Sequence, residues 1–175
     1  MLSWWVFIAM ALLIVVRIER LPLASVGWHT PGFAAVGWGG GLFVVAFVIA
    51  GLTAALLMPA FGFSQDAARA LKVTALPLSL QLGIFATAAV VEELVCRGLV
   101  ISRLAPLCPP FAMVVSVAIF ALPHVFSWRP AQLIFVLPLG LVFALFFLWR
   151  RDLPACILAH FLVDAAGFLM MRLPR

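Results

Sequence analysis

The sequence predicts an all-α membrane protein: a polytopic bundle of about six transmembrane helices around a central intramembrane polar site. Three observations carry this. Hydrophobic residues make up 67% of the 175-residue chain and the mean hydropathy is +1.27, whereas soluble domains are nearer half apolar, so no water-soluble surface can be assembled. Charged residues are only 10% of the chain, and most stand singly at the ends of apolar runs, where a membrane interface would place them. The runs themselves approach or exceed the ~20 residues that a spanning helix needs.

Taken in order, the first apolar run extends from about Leu2 to Val16 and stops at Arg17, Glu19 and Arg20. The N-terminus lacks the basic region and small-residue cleavage site of a signal peptide, so this short run is expected to be retained as a span. The second span covers about Phe33 to Pro59 and contains Gly37-Trp38-Gly39-Gly40-Gly41, which would permit close helix contact. Phe61 to Leu76, with Ser64, Gln65, Asp66, Arg69 and Lys72, reads as a short amphipathic helix at the interface. Its apolar positions are Ala67, Ala68, Leu71 and Val73, and Asp66 stands near its N-terminus. The third span runs from about Leu78 to Leu104 and is ended by Pro106, Pro109 and Pro110.

The fourth span is about Phe111 to Trp128, followed by an Arg129-Pro130 turn. The fifth, about Gln132 to Trp149, has no internal charge and reads as scaffold. The sixth runs from about Leu153 to Met171. Residues 1–77 thus form two N-terminal helices with an interfacial segment, and 78–175 a four-helix core. Trp4, Trp5, Trp28, Trp128 and Trp149 read as interface anchors, with His29 beside one of them, and Trp38 as a packing residue. Connector Lys and Arg number five on each face, so the positive-inside rule does not orient the chain. The net charge of +5 forms no basic cluster, which excludes a nucleic-acid patch. Cys96, Cys108 and Cys156 are odd in number and irregularly spaced, so no disulfide framework is expected.

The anomaly is Val90-Val91-Glu92-Glu93-Leu94-Val95-Cys96-Arg97-Gly98, two carboxyl groups and a guanidinium inside a spanning run. Ionisable groups at membrane depth are costly unless paired or facing a polar cavity, and read as functional by default. Two further spans carry ionisable groups: His124, and His160 with Asp164. At 1.5 Å per residue, counted from the face where the third span ends, Glu92 and Asp164 lie roughly 16 Å deep, His124 roughly 21 Å and His160 roughly 10 Å. All fall around the middle of a core about 30 Å thick, which points to one shared site.

Glu93 and Arg97 are i and i+4, favouring an ion pair, while Glu92 is turned about 100° away toward a cavity. His160 and Asp164 are also i and i+4. Phe120, one turn before His124, would wall the site. A carboxylate and an imidazole aimed at one water make a general-base pair, and a second imidazole can stabilise an oxyanion, which suits attack of water on an amide carbonyl.

The ordered motifs Glu92-Glu93-xxx-Arg97, Phe120-xxx-His124 and His160-xxx-Asp164 resemble those of the CPBP (CAAX protease and bacteriocin-processing, Abi) intramembrane proteases. The likeness covers about Leu78 to Arg172. It implies a glutamic-type peptidase in which Glu92 activates water with His124, Glu93 and Arg97 support the site, and His160 with Asp164 forms the oxyanion side. Asp164 could instead orient His160 by accepting its ring N–H. Cys96 stands where related sequences usually carry a bulky apolar residue, making it and Phe120 candidates for lining the substrate pocket. The small size resembles compact bacterial members that process C-terminal sorting tails.

The expected function is therefore an intramembrane endopeptidase acting on a membrane-associated protein or peptide, multi-pass in a bacterial inner membrane. Other readings of the same residues remain open. The charges could be a buried ion network fixing helix packing, His124 a core histidine bonded to a carbonyl freed by Pro123, and Cys96 a small buried hydrophobe. The whole chain could be a small carrier or proton relay, or a non-catalytic scaffold. Zinc could be held by Glu92, His124 and His160. With no contiguous H-E-x-x-H, the metal-free glutamate mechanism is favoured.

Overall fold

The computed structural model describes residues 2–64, 66–127 and 130–172, and all regular structure among them is helical. Gln65, Trp128 and Arg129, named above, lie outside that range. Six long helical runs follow the apolar segments of the sequence: α1 (2–18), α2 (33–60), α4 (78–104), α5 (Pro109–Ser127), α6 (Gln132–Arg150) and α7 (Leu153–Met170). Between α2 and α4 lies the short α3 (Ala67–Thr74).

Four of these runs, α2, α5, α6 and α7, are long and apolar enough to cross a membrane, and α1 contributes a shorter apolar helix over Trp4–Ile18. The sixth, α4, is long enough but carries Glu92, Glu93, Arg97 and Arg103. The chain is an integral-membrane helical bundle. Its outer surface is apolar in the way lipid requires: Phe33, Leu56, Phe126 and Trp149 are all exposed, as are Trp4 and Trp5.

Prolines set several boundaries. Pro109 and Pro110 occupy the first turn of α5, and Pro154 that of α7, where a missing N–H costs nothing. Asp152 caps α7 by accepting from the Ala155 N–H at 3.0 Å. The two-residue turn from α6 to α7 is closed from outside by the segment after α1. There Gly27, at φ +75°, presents its carbonyl to the Leu153 N–H at 2.9 Å. A Cβ on Gly27 would lie 2.7 Å from the Phe147 ring and 2.8 Å from the Arg151 carbonyl, so both conformation and space demand glycine.

This end of the bundle is solid. Val15, Val26, Ile101, Phe147 and Leu153 are fully buried there. The most extensive helix pairings are α2 with α7, α5 with α6, and α4 with α7. Of the glycines around Trp38, Gly39 makes the close approach. Its missing Cβ would stand 3.0 Å from Leu158 and 3.1 Å from the Ala155 carbonyl, whereas Gly37, Gly40 and Gly41 meet nothing within 4 Å. Trp38 packs edge-on against Trp149 with ring centroids 5.1 Å apart, under the Arg150 guanidinium.

The opposite end is hollow, and α3 lies over it. The face of α3 turned toward the bundle carries Ala70 and Val73; Leu71, expected on that stripe, is exposed. Gln81, buried in the first turn of α4, donates to the Thr74 and Leu76 carbonyls at 3.1 and 2.9 Å. Arg172 donates to the same two carbonyls at 2.8 Å. These four bonds hold the end of α3 to the ends of α4 and α7.

Two outcomes are expected. Gly39→Leu should overpack the α2–α7 contact and lower stability by about 1–3 kcal/mol, while Gly41→Leu should leave the thermal melt in detergent nearly unchanged. Across the solid end, Arg103 donates through Nε and Nη2 to both carboxylate oxygens of exposed Glu19. That bond holds the Glu19 carboxyl below its ordinary value, aided by the charge of Arg103 and opposed by slight desolvation. A depressed carboxyl stabilises above its unfolded pKa and loses that contribution as pH falls through the folded value. Melts of wild type and Glu19→Gln should therefore differ at neutral pH and converge in acid.

Candidate active site

Glu92 and Glu93 end the α-helical part of α4; the next turns, Leu94–Ile101, are π-helical. Such wide turns are rare and frequently mark functional sites. Glu93 is fully buried and its Oε1 accepts two hydrogen bonds, from Arg97 Nη1 at 2.9 Å and from His160 Nδ1 at 2.8 Å. Arg97, also fully buried, donates through Nη2 to the Gly140 carbonyl on α6 at 3.0 Å. Its guanidinium lies over the rings of Phe120 and Phe143, 4.6 and 5.4 Å from their centroids. One charged cluster thus ties α4 to α6 and α7.

In front of it is a cavity of about 310 Å³. Glu92, Phe120, His124, His160 and Asp164, from three helices, all line it. The Glu92 side chain is 25% exposed, and no described group hydrogen-bonds its Oε2. His160 Nε2 stands 3.9 Å from Glu92 Oε2 and 3.7 Å from Asp164 Oδ2, too far for direct hydrogen bonds but suited to a bridging oxygen. The ring N–H of His160 goes to Glu93, not to Asp164 as one reading of the sequence had it. A two-turn aromatic wall accompanies the histidines. Phe120 lies 5.1 Å from the His124 ring and 5.9 Å from that of His160, measured between centroids.

His124 Nδ1 is 2.8 Å from the Phe120 carbonyl. Since that oxygen can only accept, the hydrogen is on Nδ1, and in the neutral ring Nε2 is then the nitrogen with the lone pair. The carbonyl is that of residue i−4, one position beyond the carbonyl that Pro123 deprives of its helical partner. His124 still lines the cavity, so the bond orients the ring without burying it.

Cys96 departs from its expected place. It is 2% exposed, packs with Phe120, Ala121 and Val136, and does not line the cavity. The turn that sends Arg97 back toward Gly140 carries Cys96 against α5 and α6, as a small hydrophobe. Conversely, the sequence marked α6 as bare scaffold, yet Val136, Leu139 and Phe143 form one wall of the cavity and Gly140 holds Arg97. Asp66, which the sequence put near the N-terminus of the amphipathic helix, lines the cavity under α3. A main-chain acceptor such as Gly140 has no residue-type signature, although a Cβ there would lie only 3.0 Å from the Phe120 ring. Among the described residues, no group of three or more His, Cys, Asp or Glu side chains is placed to hold a metal ion.

Arg97→Met would leave Glu93 buried with only His160 as partner and should cost about 3–5 kcal/mol. The double variant Glu93→Gln/Arg97→Met should melt higher than Arg97→Met alone, because the uncompensated charge is then gone too.

Neither a curated protein nor a solved structure matches the chain. The family model described as type II CAAX prenyl endopeptidase Rce1-like matches residues 74–166, just over half of the 175 and the stretch that holds all three motifs. With the bundle and the ordered polar motifs, that match places this integral membrane protein in a protease family: the chain belongs to the type II CAAX prenyl endopeptidase Rce1-like family.

Proposed function

We propose that the protein is an intramembrane endopeptidase that hydrolyses a peptide bond in a membrane-associated protein or peptide, with water activated by Glu92 and His124. The observation that carries this is the convergence of Glu92 and His124 on one apolar-walled cavity, with no described group hydrogen-bonded to Glu92 Oε2 and with His124 Nδ1 held by the Phe120 carbonyl. Residues 78–175 supply the chemistry, and 1–77 supply a wall through α2 and a roof through α3. The membrane is the bacterial inner membrane.

In the proposed reaction, water oxygen attacks the carbonyl carbon as its proton passes to Glu92, with His124 orienting the water through Nε2. The carbonyl π electrons move to oxygen. His160, its Nδ1–H committed to Glu93, donates to this oxyanion through Nε2–H as an imidazolium, so the buried Glu93 charge stabilises the ring that stabilises the intermediate. Asp164 Oδ2 stands 3.7 Å from that nitrogen and is not hydrogen-bonded to it. When the carbon–nitrogen bond breaks, the proton on Glu92 passes to the leaving amine. Glu93 and Arg97 position His160 and touch no reacting atom. The mechanism uses side chains alone and assigns no metal.

Purified protein in detergent, offered a library of quenched-fluorescence apolar peptides, should cleave some of them. Glu92→Gln or His124→Ala should lower the rate by about 10²–10⁴-fold while leaving the melt intact. Retained cleavage in either variant overturns the assignment. Activity lost to a chelator and restored by zinc would replace it with a metal mechanism on Glu92, His124 and His160.

A further inference from the structure

Among the described residues, five long helices wall the cavity and one short helix lies across it. α2, α4, α5, α6 and α7 pack extensively on one another, whereas α3 has eight residues and packs on the bundle less than any of them. The helical side chains it offers to the cavity are Ala70 and Val73, both small, while Leu71 and Lys72 are exposed. A helix of this length is marginal by itself, so the docking of that face is what keeps α3 formed and in place.

The side-chain bonds that tie α3 down gather at its C-terminal end. Gln81, 1% exposed in the first turn of α4, and Arg172, after the end of α7, both donate to the Thr74 and Leu76 carbonyls. Ala70, one turn earlier, is held by packing. On the other side Gly62, at φ +73°, turns the chain out of α2, and a Cβ there would meet nothing within 4 Å, so that turn stands clear of the bundle.

With α3 docked, the Glu92 side chain is 25% exposed, so water reaches it. A peptide is a larger guest. The cavity, at about 310 Å³, is at the low end of the ~300–1,000 Å³ that holds one small molecule. Glu92 lies about 21 Å along α4 from its first residue, so a chain reaching it past α3 must lay in about six extended residues.

We propose that α3 is a lid: docked, it admits water and excludes peptide, and it swings out about Thr74–Leu76, where Gln81 and Arg172 keep hold of the carbonyls, to let an extended segment in. That the guest is a peptide rests on the protease reading; the motion does not.

Gly167 lines the cavity one turn beyond Asp164, and a Cβ there would meet nothing within 4 Å, so Gly167→Cys puts a thiol under the lid. Exposed Cys108 is the reference thiol in the same molecule, while Cys96 and Cys156 are buried. The variant in detergent is labelled with N-ethylmaleimide and with a maleimide carried on an apolar peptide of about six residues. Relative to Cys108, the introduced thiol should react with the peptide reagent at least about tenfold more slowly than with the small one, as a minor open state requires. Ala70→Asp, which puts a charge into the docked face, and the milder Ala70→Gly, which weakens the helix, should each speed the peptide reagent several-fold. Both should leave the N-ethylmaleimide rate and the melt of the bundle nearly unchanged. A peptide reagent as fast as the small one overturns the lid, as does a gap that neither variant narrows. Cleavage assayed in parallel keeps the two readings apart. A gap that narrows in a protein cutting no peptide upholds the lid and fails the protease; cleavage with the gap unmoved does the reverse.

Discussion

A single carboxylate oxygen, Glu93 Oε1, holds the site together. It accepts from Arg97 one turn on and from His160 sixty-seven residues away. Inside a bilayer neither a guanidinium nor a carboxylate can stay unpaired, and both are shielded from water here, so each fixes the other. Because Arg97 also reaches the Gly140 carbonyl, that second bond forms only when α4 and α6 stand at the right separation. Because His160 shares the same oxygen, α7 must present that ring in a definite rotation. The direction in which His160 Nε2 points is therefore a consequence of charge neutralisation behind it.

That arrangement divides two adjacent acids between different tasks. Glu93 faces the protein and is consumed by structure; Glu92, rotated about one hundred degrees round the helix, faces the cavity with an oxygen that no described group occupies. Phe120 serves on both sides of this boundary. It stacks on Arg97 behind the site, contacts both histidine rings in front, and lends its carbonyl to His124. The solid packing at the α6–α7 turn and the hollow under α3 follow the same logic. One end is filled by Phe147, Leu153 and their neighbours, and the other is left open as the cavity in front of the charged cluster.

Much of this was legible in the sequence. Period and composition located the six helical runs, since apolar length is the dominant signal in a membrane chain and proline marks its ends. Helical spacing anticipated the Glu93–Arg97 pair. The common depth of Glu92, His124, His160 and Asp164 anticipated that they share a cavity. Spacing along one helix could not, however, show that Glu93 rather than Asp164 takes the His160 ring N–H, because that choice depends on how α4 and α7 face each other. Cys96 was misplaced for a related reason: a regular α-helix puts it near Glu92 and Glu93, but the π-helical turns from Leu94 onward rotate it into the α5–α6 contact.

By itself the sequence determined that the chain is a membrane bundle and which ionisable residues its interior must accommodate. These properties are additive along the chain, being sums of transfer free energies and local spacing. Only the tertiary structure decided which acid is paired and which is free. It also decided that the uncharged α6 supplies a wall and a carbonyl to the site, and that Asp66 and α3 roof the cavity. Those outcomes depend on distances between segments far apart in sequence, and on main-chain atoms that every residue carries alike.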